Sequence, residues 1–415
     1  MWLGMATVGV LLPYFRARAQ ESAILQGINR LSPTCGVITT ILEVNEAVVH
    51  VVKNTSISLV VVGDLKTNHM EWKNFQTANK KAVVYLSPQD QRALPFQIVR
   101  HIPWNHFGRK SIGFMYAVAG GCETVYDFDD DNHLSITKGF GALHSWDQVI
   151  TTRVDTNGIH CLNPYPYFHP SDGTFVWPRG FPLQFIQDDR TFNLSSATIV
   201  ESPDHVRSAS IAVLQSLADH DPDVDAIYRL TKPLPIFFQR KRTVLLPERG
   251  LYVPWNAQAV LISYPAFFGM LLPVTVTGRV SDIWRSYITT RLLWETDHSV
   301  AFASSFVTQY RNPHNYMTDF LDEDDLYKKA DELLSTLSSW TSKRIRSLDE
   351  AYLDLMRTLV TGSHILGNKD LLLAEAWVRD LKSVGYVWPK ISRRMPVRRH
   401  ANAPVVDQRT LFQKL

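Results

Sequence analysis

The strongest constraint on the fold is the alternation of short β-branched runs with helical periodicity in the first third of the chain. Val48–Val52 and Ser58–Val62 are rich in β-formers, and the second closes on the turn signal Gly63-Asp64. Val83-Val84-Tyr85-Leu86 follows and stops at Ser87-Pro88. From Ser111 to Ala119 the apolar residues Ile112, Met115, Tyr116 and Ala119 recur with a helical period. Thr124-Val125-Tyr126 then resumes the strand pattern. Strand, helix and strand at this spacing predict βαβ units, hence an α/β fold with a mostly parallel sheet flanked by helices.

Ligands of such sheets bind beyond the carboxyl ends of the strands. Asp64 sits at one such end and is expected to face substrate. The run Tyr126-Asp127-Phe128-Asp129-Asp130-Asp131-Asn132 sits at another and places four carboxylates within five residues. Strand alternation puts Asp127, Asp129 and Asp131 on one face and Asp130 on the other. That much charge at the end of a buried strand is costly unless compensated. Mn²⁺ or Mg²⁺ with a bound diphosphate would compensate it, because these cations take hard oxygen ligands and keep sites for phosphate. Asp129 and Asp131 are the expected metal pair, Asp127 a supporting carboxylate, and Asn132 a substrate contact.

Upstream, Arg109-Lys110 opens the helix leading to this strand, a corner suited to a diphosphate. Downstream, residues 163–182 are rich in Pro, Gly and aromatics, an expected loop over the active edge with Trp177 and Arg179 lining the site. Transfer to an acceptor hydroxyl with inversion needs a general base. Asp225 is the preferred candidate, with Asp223 beside it and Glu295 and Asp297 further on. Asp221-Pro222-Asp223 reads equally well as an ordinary acidic helix start.

A net charge of +3 over 415 residues gives no case for nucleic acid. Cys35, Cys122 and Cys161 form no metal-spaced pair; one disulfide is allowed, with its partners unspecified. No Gly-x-Ser-x-Gly, P-loop or Gly-x-Gly-x-x-Gly occurs, which disfavours serine hydrolases, P-loop ATPases and ordinary dehydrogenases. Residues 2–15 are apolar but shorter than the roughly 20 needed to span a bilayer. They suggest a signal-peptide core, a truncated signal anchor or a buried segment, with membrane association through the N-terminus. Sequons begin at Asn54 and Asn193. After Asp319 the pattern turns helical, over 326–340, 348–360 and 371–381, and ends in a basic tail from Arg393 to His400. The expected organisation is an N-terminal segment (1–45), an α/β domain (46–318) and a helical appendage with the tail (319–415).

Five segments in order resemble the STELLO family of glycosyltransferases. They are Ser111-Ile112-Gly113-Phe114-Met115-Tyr116-Ala117 with the aspartate run after it, Asn163-Pro164-Tyr165-Pro166, Trp177-Pro178-Arg179-Gly180-Phe181-Pro182, Asp223-Val224-Asp225-Ala226-Ile227-Tyr228-Arg229-Leu230, and Ser281-Asp282-Ile283-Trp284-Arg285. The resemblance runs from about Val48 to Asp297. The aspartate run and Asp223–Arg229 are also similar to the reversibly glycosylated polypeptides, which act on UDP-arabinose. The resemblance implies a GT-A-like fold, a nucleotide-sugar donor with a UDP-sugar favoured, and a glycan or protein acceptor. It also implies a lumenal place in the Golgi or another secretory membrane. The chain departs from the family pattern at its start, where no full spanning helix is evident. The expected function is metal-dependent sugar transfer. The alternatives are a non-catalytic assembly or trafficking factor on a transferase-like scaffold, and a nucleotide-sugar mutase.

Overall fold

The computed structural model describes residues 27–135, 146–152, 160–192, 198–200, 211–311 and 315–392. The apolar 2–15 segment, the Asn193 sequon and the basic tail lie outside them. Strands β1 (Thr34–Thr40), β2 (Ser58–Gly63), β3 (Val83–Leu86) and β4 (Thr124–Phe128) pair in the order β3-β2-β1-β4, all parallel. The chain works outward from β1 to β3 and then returns to the other side of β1 as β4. The strand order therefore reverses between β1 and β4, where open α/β sheets form a crevice at their carboxyl edge. β1 itself lies inside the stretch set aside as an N-terminal segment, so the sheet begins earlier than residue 46.

Helices α1 (Glu46–Asn54), α2 (His69–Ala78), α3 (Pro88–Ala93) and α4 (Lys110–Ala119) connect these strands. Val48–Val52, expected as a strand, is the middle of α1. Asn45 caps it by accepting from the Val48 amide, Glu46 and Lys53 suit its two ends, and Ala47, Val48, Val51 and Val52 are buried along one face. Tertiary burial of that face outweighs the β preference of valine.

Beyond β4 the sheet becomes mixed. β10 (Ala259–Ser263) runs antiparallel between β4 and β8 (Ile211–His220), and β11 (Ser299–Gln309) runs parallel to β8. β9 (Thr243–Leu246), β6 (Gln148–Thr151) and β7 (Thr198–Val200) complete the order, and β5 (Asn132–Leu134) adds to the end of β11. The α/β architecture with flanking helices is as expected and is consistent with a GT-A-like fold.

One face of the sheet is covered by α4 and by α6 (Gly278–Leu293), whose residues from Val280 to Leu293 are all buried. Gly113 lets α4 approach: a Cβ there would meet Val37 and Val62 side-chain carbons at 2.7 Å. Past the short helix α7 (Tyr316–Asp322), the same core continues into α8 (Asp324–Ser339), α9 (Leu348–Arg357) and α10 (Asn368–Ser383), through Leu333, Leu337, Leu355 and Trp377. These confirm the three helical patterns at the C-terminal end. Two buried carboxylates of α10 fasten it to the sheet domain. Asp380 accepts from the Gln97 and Ile98 amides at 2.9 Å each, and Asp370 accepts from the Val274 amide at 2.6 Å. The opposite face has a smaller core in which Trp72 of α2 stacks on Tyr85 of β3. Cys35 at the start of β1 is disulfide-bonded to Cys122 just before β4, with Cα atoms 6.0 Å apart; Cys161 is free and buried.

Candidate functional site

β4 ends at Phe128, so strand alternation does not carry through the aspartates. Residues 129–131 turn, and Asn132 enters β5, pairing with Gln309 of β11. The four carboxylates accordingly take separate roles.

Asp127 is fully buried between two cations. Lys110 Nζ lies 2.6 Å from one oxygen and Arg285 Nη1 2.7 Å from the other. This corrects its place among the metal ligands, since its charge is compensated within the protein. Lys110 also donates to the Phe128 carbonyl at 2.8 Å and lies 3.6 Å from Asp129. Arg109 packs 3.4 Å over the Trp104 ring, and its Nε and Nη2 donate to Gln91 at 2.9 and 2.6 Å. Neither residue is exposed. The expected diphosphate corner at Arg109-Lys110 is therefore corrected as well: the N-terminus of α4 faces the interior, and both cations hold structure. Asp64 likewise closes its own turn, accepting from the Leu65 amide at 2.7 Å and the His106 amide at 3.2 Å, and it is buried.

Asp130 is held by Thr40, whose hydroxyl donates at 2.5 Å from the carboxyl end of β1. The aspartate turn thus closes over the β1–β4 reversal. Asp129 keeps its side chain 41% exposed, yet protein crowds it. Desolvation raises its pKa to about 7; Lys110 opposes the rise, and Asp131, Asp127 and Asp130 add to it. Asp131 is pushed up to about 6, by desolvation first and Asp130 second, with Arg311 and a Gln309 hydrogen bond pulling the other way. Gln309 Nε2 donates to Asp131 at 3.0 Å. The remaining Asp131 oxygen and the Asn132 side-chain oxygen are buried without a hydrogen-bond partner. The donor set is all hard oxygen, which fits Mn²⁺ or Mg²⁺. Among the described residues no three His, Cys, Asp or Glu side chains come together tightly enough to hold a metal by themselves. A cation held here would need further oxygen ligands from outside the protein.

The second acidic segment is a buried network. Asp225 caps α5 (Ala226–Thr231), accepting from the Tyr228 amide at 2.7 Å, and its other oxygen accepts from Trp177 Nε1 at 2.7 Å. Burial raises its pKa to about 6 against those two bonds. Asp223 accepts from Arg179 Nε at 2.8 Å and from Asn256 Nδ2 at 2.7 Å. Burial opposes its ionisation, but Arg179 holds its pKa below the usual carboxylate range. Arg179 also meets Asp282 of α6 at 2.8 Å. With both oxygens of each aspartate engaged in hydrogen bonds, the geometry does not support Asp223 or Asp225 as the general base; both are held inside the network. Trp177 and Arg179 are buried partners of these acids rather than exposed lining of a sugar cleft. The other two carboxylates considered, Glu295 and Asp297, follow α6, and Glu295 is bound to Arg291. The network reaches the helical region through Glu323, fully buried, which accepts from the Ala226 amide at 2.8 Å, from Tyr327 Oη at 2.6 Å and from Arg279.

Five residues of the site escaped the sequence reading: Thr40, Arg285, Asp282, Gln309 and Arg311. Arg285 and Asp282 stood in a noted motif without a role. Arg311, just past β11, has a side chain 10% exposed and an Nε without a hydrogen-bond partner. Burial first, then Arg229 and Arg279, lower its pKa to about 10, while Asp223 and Asp221 oppose the fall. It spans the aspartate turn and the Asp223 network electrostatically, and no sequence pattern marks it.

Residues 279–404 match the model of a family described as STELLO glycosyltransferases. Two Arabidopsis thaliana proteins align along most of the chain. "Probable glycosyltransferase STELLO2" is 29% identical over 326 residues, and "Probable glycosyltransferase STELLO1" is 28% identical over 325. The chain is STELLO-like. Each alignment takes in 75% of this chain but only 41% and 40% of the two relatives, so the STELLO-like chain spans about two fifths of their length. The family match falls on α6 and the C-terminal helices, beyond most of the motifs that suggested the likeness; Ser281–Arg285 is the one quoted segment inside it. Among the described residues no helix is long and apolar enough to cross a membrane.

Proposed function

We propose that this chain binds a nucleotide-sugar together with a divalent cation at the β1–β4 edge and transfers the sugar to a glycan or protein acceptor. The observation that carries the reading is the Asp129–Asp131 turn at the strand-order reversal, with one open carboxylate, buried oxygens lacking partners, and raised pKa values. Asp129 and Asp131 would hold Mn²⁺ or Mg²⁺, and Asn132 would support them. The bound cation supplies charge neutralisation for the departing diphosphate. Arg311, which lies 3.7 Å from Asp319, would share that charge. Ile41, Leu42 and Leu65, exposed just past β1 and β2, offer apolar contact to a nucleobase. A UDP-sugar is the favoured donor. The Cys35–Cys122 disulfide supports a lumenal, oxidising site in the Golgi or another secretory compartment, with residues 2–15 as the membrane-associating segment.

Titration calorimetry with a panel of UDP- and GDP-sugars, with and without Mn²⁺, tests the reading. Binding is expected only with metal, weakened at least tenfold by Asp129→Asn or Asp131→Asn. Absence of metal-dependent binding across the panel overturns it. A non-catalytic scaffold is the second reading, favoured by the full occupation of Asp223 and Asp225, which leaves neither free as a base. Donor binding without sugar transfer to any acceptor supports that one.

A further inference from the structure

The carboxyl edge that carries the aspartate turn continues across β8, β11 and β5 as a row of ring side chains. Phe237 lies 6.3 Å from His220, His220 4.8 Å from Tyr310, and Tyr310 5.4 Å from His133, centroid to centroid. Phe237 is 46% and Tyr310 55% exposed. Rings of this size are ordinarily buried in a core, and an apolar patch rimmed by polar groups marks a binding surface.

The row is held in place. His220 has a φ of +77°, a left-handed conformation that a non-glycine residue adopts at a cost, and backbone strain of this kind gathers at functional sites. Two backbone hydrogen bonds with Ile236, 2.7 and 3.0 Å, fix it there. Its Nδ1 donates to the Gln309 carbonyl at 3.1 Å. The row is also continuous with the candidate site. His133 follows Asn132, and Tyr310 stands between Gln309, which donates to Asp131, and Arg311.

We propose that His133, His220, Phe237 and Tyr310 form the acceptor platform, a shelf for neutral sugar rings, an inference that rests on the transferase reading above. The C–H face of a pyranose is apolar and stacks on aromatic faces, while its rim hydroxyls seek hydrogen-bonding groups. Here the rings, inclined at 50–79° to one another, offer separate faces and edges to the sugar, and the buried Asn132 and Gln309 tie one end of the row to the aspartate turn. The shelf lies on the same sheet edge as the donor position proposed above.

Saturation-transfer NMR and calorimetry with a panel of neutral hexose and pentose oligosaccharides test the shelf in the absence of donor. The wild-type chain is expected to bind members of the panel, with transfer strongest to ring C–H protons. Tyr310→Ala combined with Phe237→Ala should weaken that binding at least tenfold, Tyr310→Trp should retain it, and both should leave metal-dependent nucleotide-sugar binding and the melting temperature unchanged. No oligosaccharide binding by the wild type, or undiminished binding by the double variant, overturns the proposal. Should the double variant melt early, Phe237→Ala alone is read against the same criteria. Failure of the donor reading is separately visible, as missing metal-dependent nucleotide-sugar binding in the same wild-type sample.

Discussion

Asp127 and Asp129 are two residues apart and meet opposite fates. Asp127 has two cations at 2.6 and 2.7 Å, while Asp129 shares Lys110 from 3.6 Å and faces three other carboxylates. The difference has a measurable sign. The folded pKa of Asp129, about 7, stands above its ordinary 3.8. Between those values the folded chain holds a proton that the unfolded chain has lost, so stability falls as pH rises through that window and the loss is complete above about 7. Asp129→Asn removes this dependence. Without metal, the variant should melt higher than wild type at pH 8 and match it near pH 4, as thermal melts across pH will show. Saturating Mn²⁺ should erase the wild type's disadvantage at pH 8. At this scale the sequence revealed where charge accumulates, because an acidic run is visible as composition. It did not reveal orientation, because β4 stops one residue before Asp129 and the alternation stops with it. Nor could it show that Lys110 points inward: a helix start reads the same whichever way it faces.

Among the elements, α4 and the three long C-terminal helices were legible because their apolar residues recur with a helical period. α1 was not. Its run is short and valine-rich, and only the Asn45 cap and the spacing of Ala47, Val48, Val51 and Val52 separate helix from strand. The docking of α10 was equally hidden, since a carboxylate that caps the backbone of another element looks like any surface charge. Asp380, itself buried, satisfies two amides, those of Gln97 and Ile98. Asp380→Ala leaves both donors unpaired and should cost about 2–4 kcal/mol, read as a lower urea midpoint with an unchanged slope.

For the molecule as a whole, three of the four parallel strands, β2, β3 and β4, were readable from spacing; β1 and the mixed half of the sheet were not. β8, β10 and β11 have partners that lie far away in sequence, and direction is not written in them. The Cys35–Cys122 bond, between residues 87 apart, was likewise open among three cysteines. It closes a loop around β2, β3 and α4, and on loop entropy alone a closure of that length is worth roughly 4–5 kcal/mol. Replacing both cysteines by Ala should lower stability by up to that amount, and a reductant should destabilise the wild type but not the variant. Urea titrations with and without reductant will tell.

Glu323 carries a consequence for how such a chain can be divided or recombined. Its carboxylate is the shared acceptor for an amide of α5, a guanidinium of α6 and a phenol of α8. A fragment cut at residue 318 loses that acceptor and strands Arg279 and the Ala226 amide. A chimera that grafts a foreign helical half onto this α/β half must supply a carboxylate at the same point in space. The two halves therefore share one buried charge, and a change on either side of it has to be matched on the other.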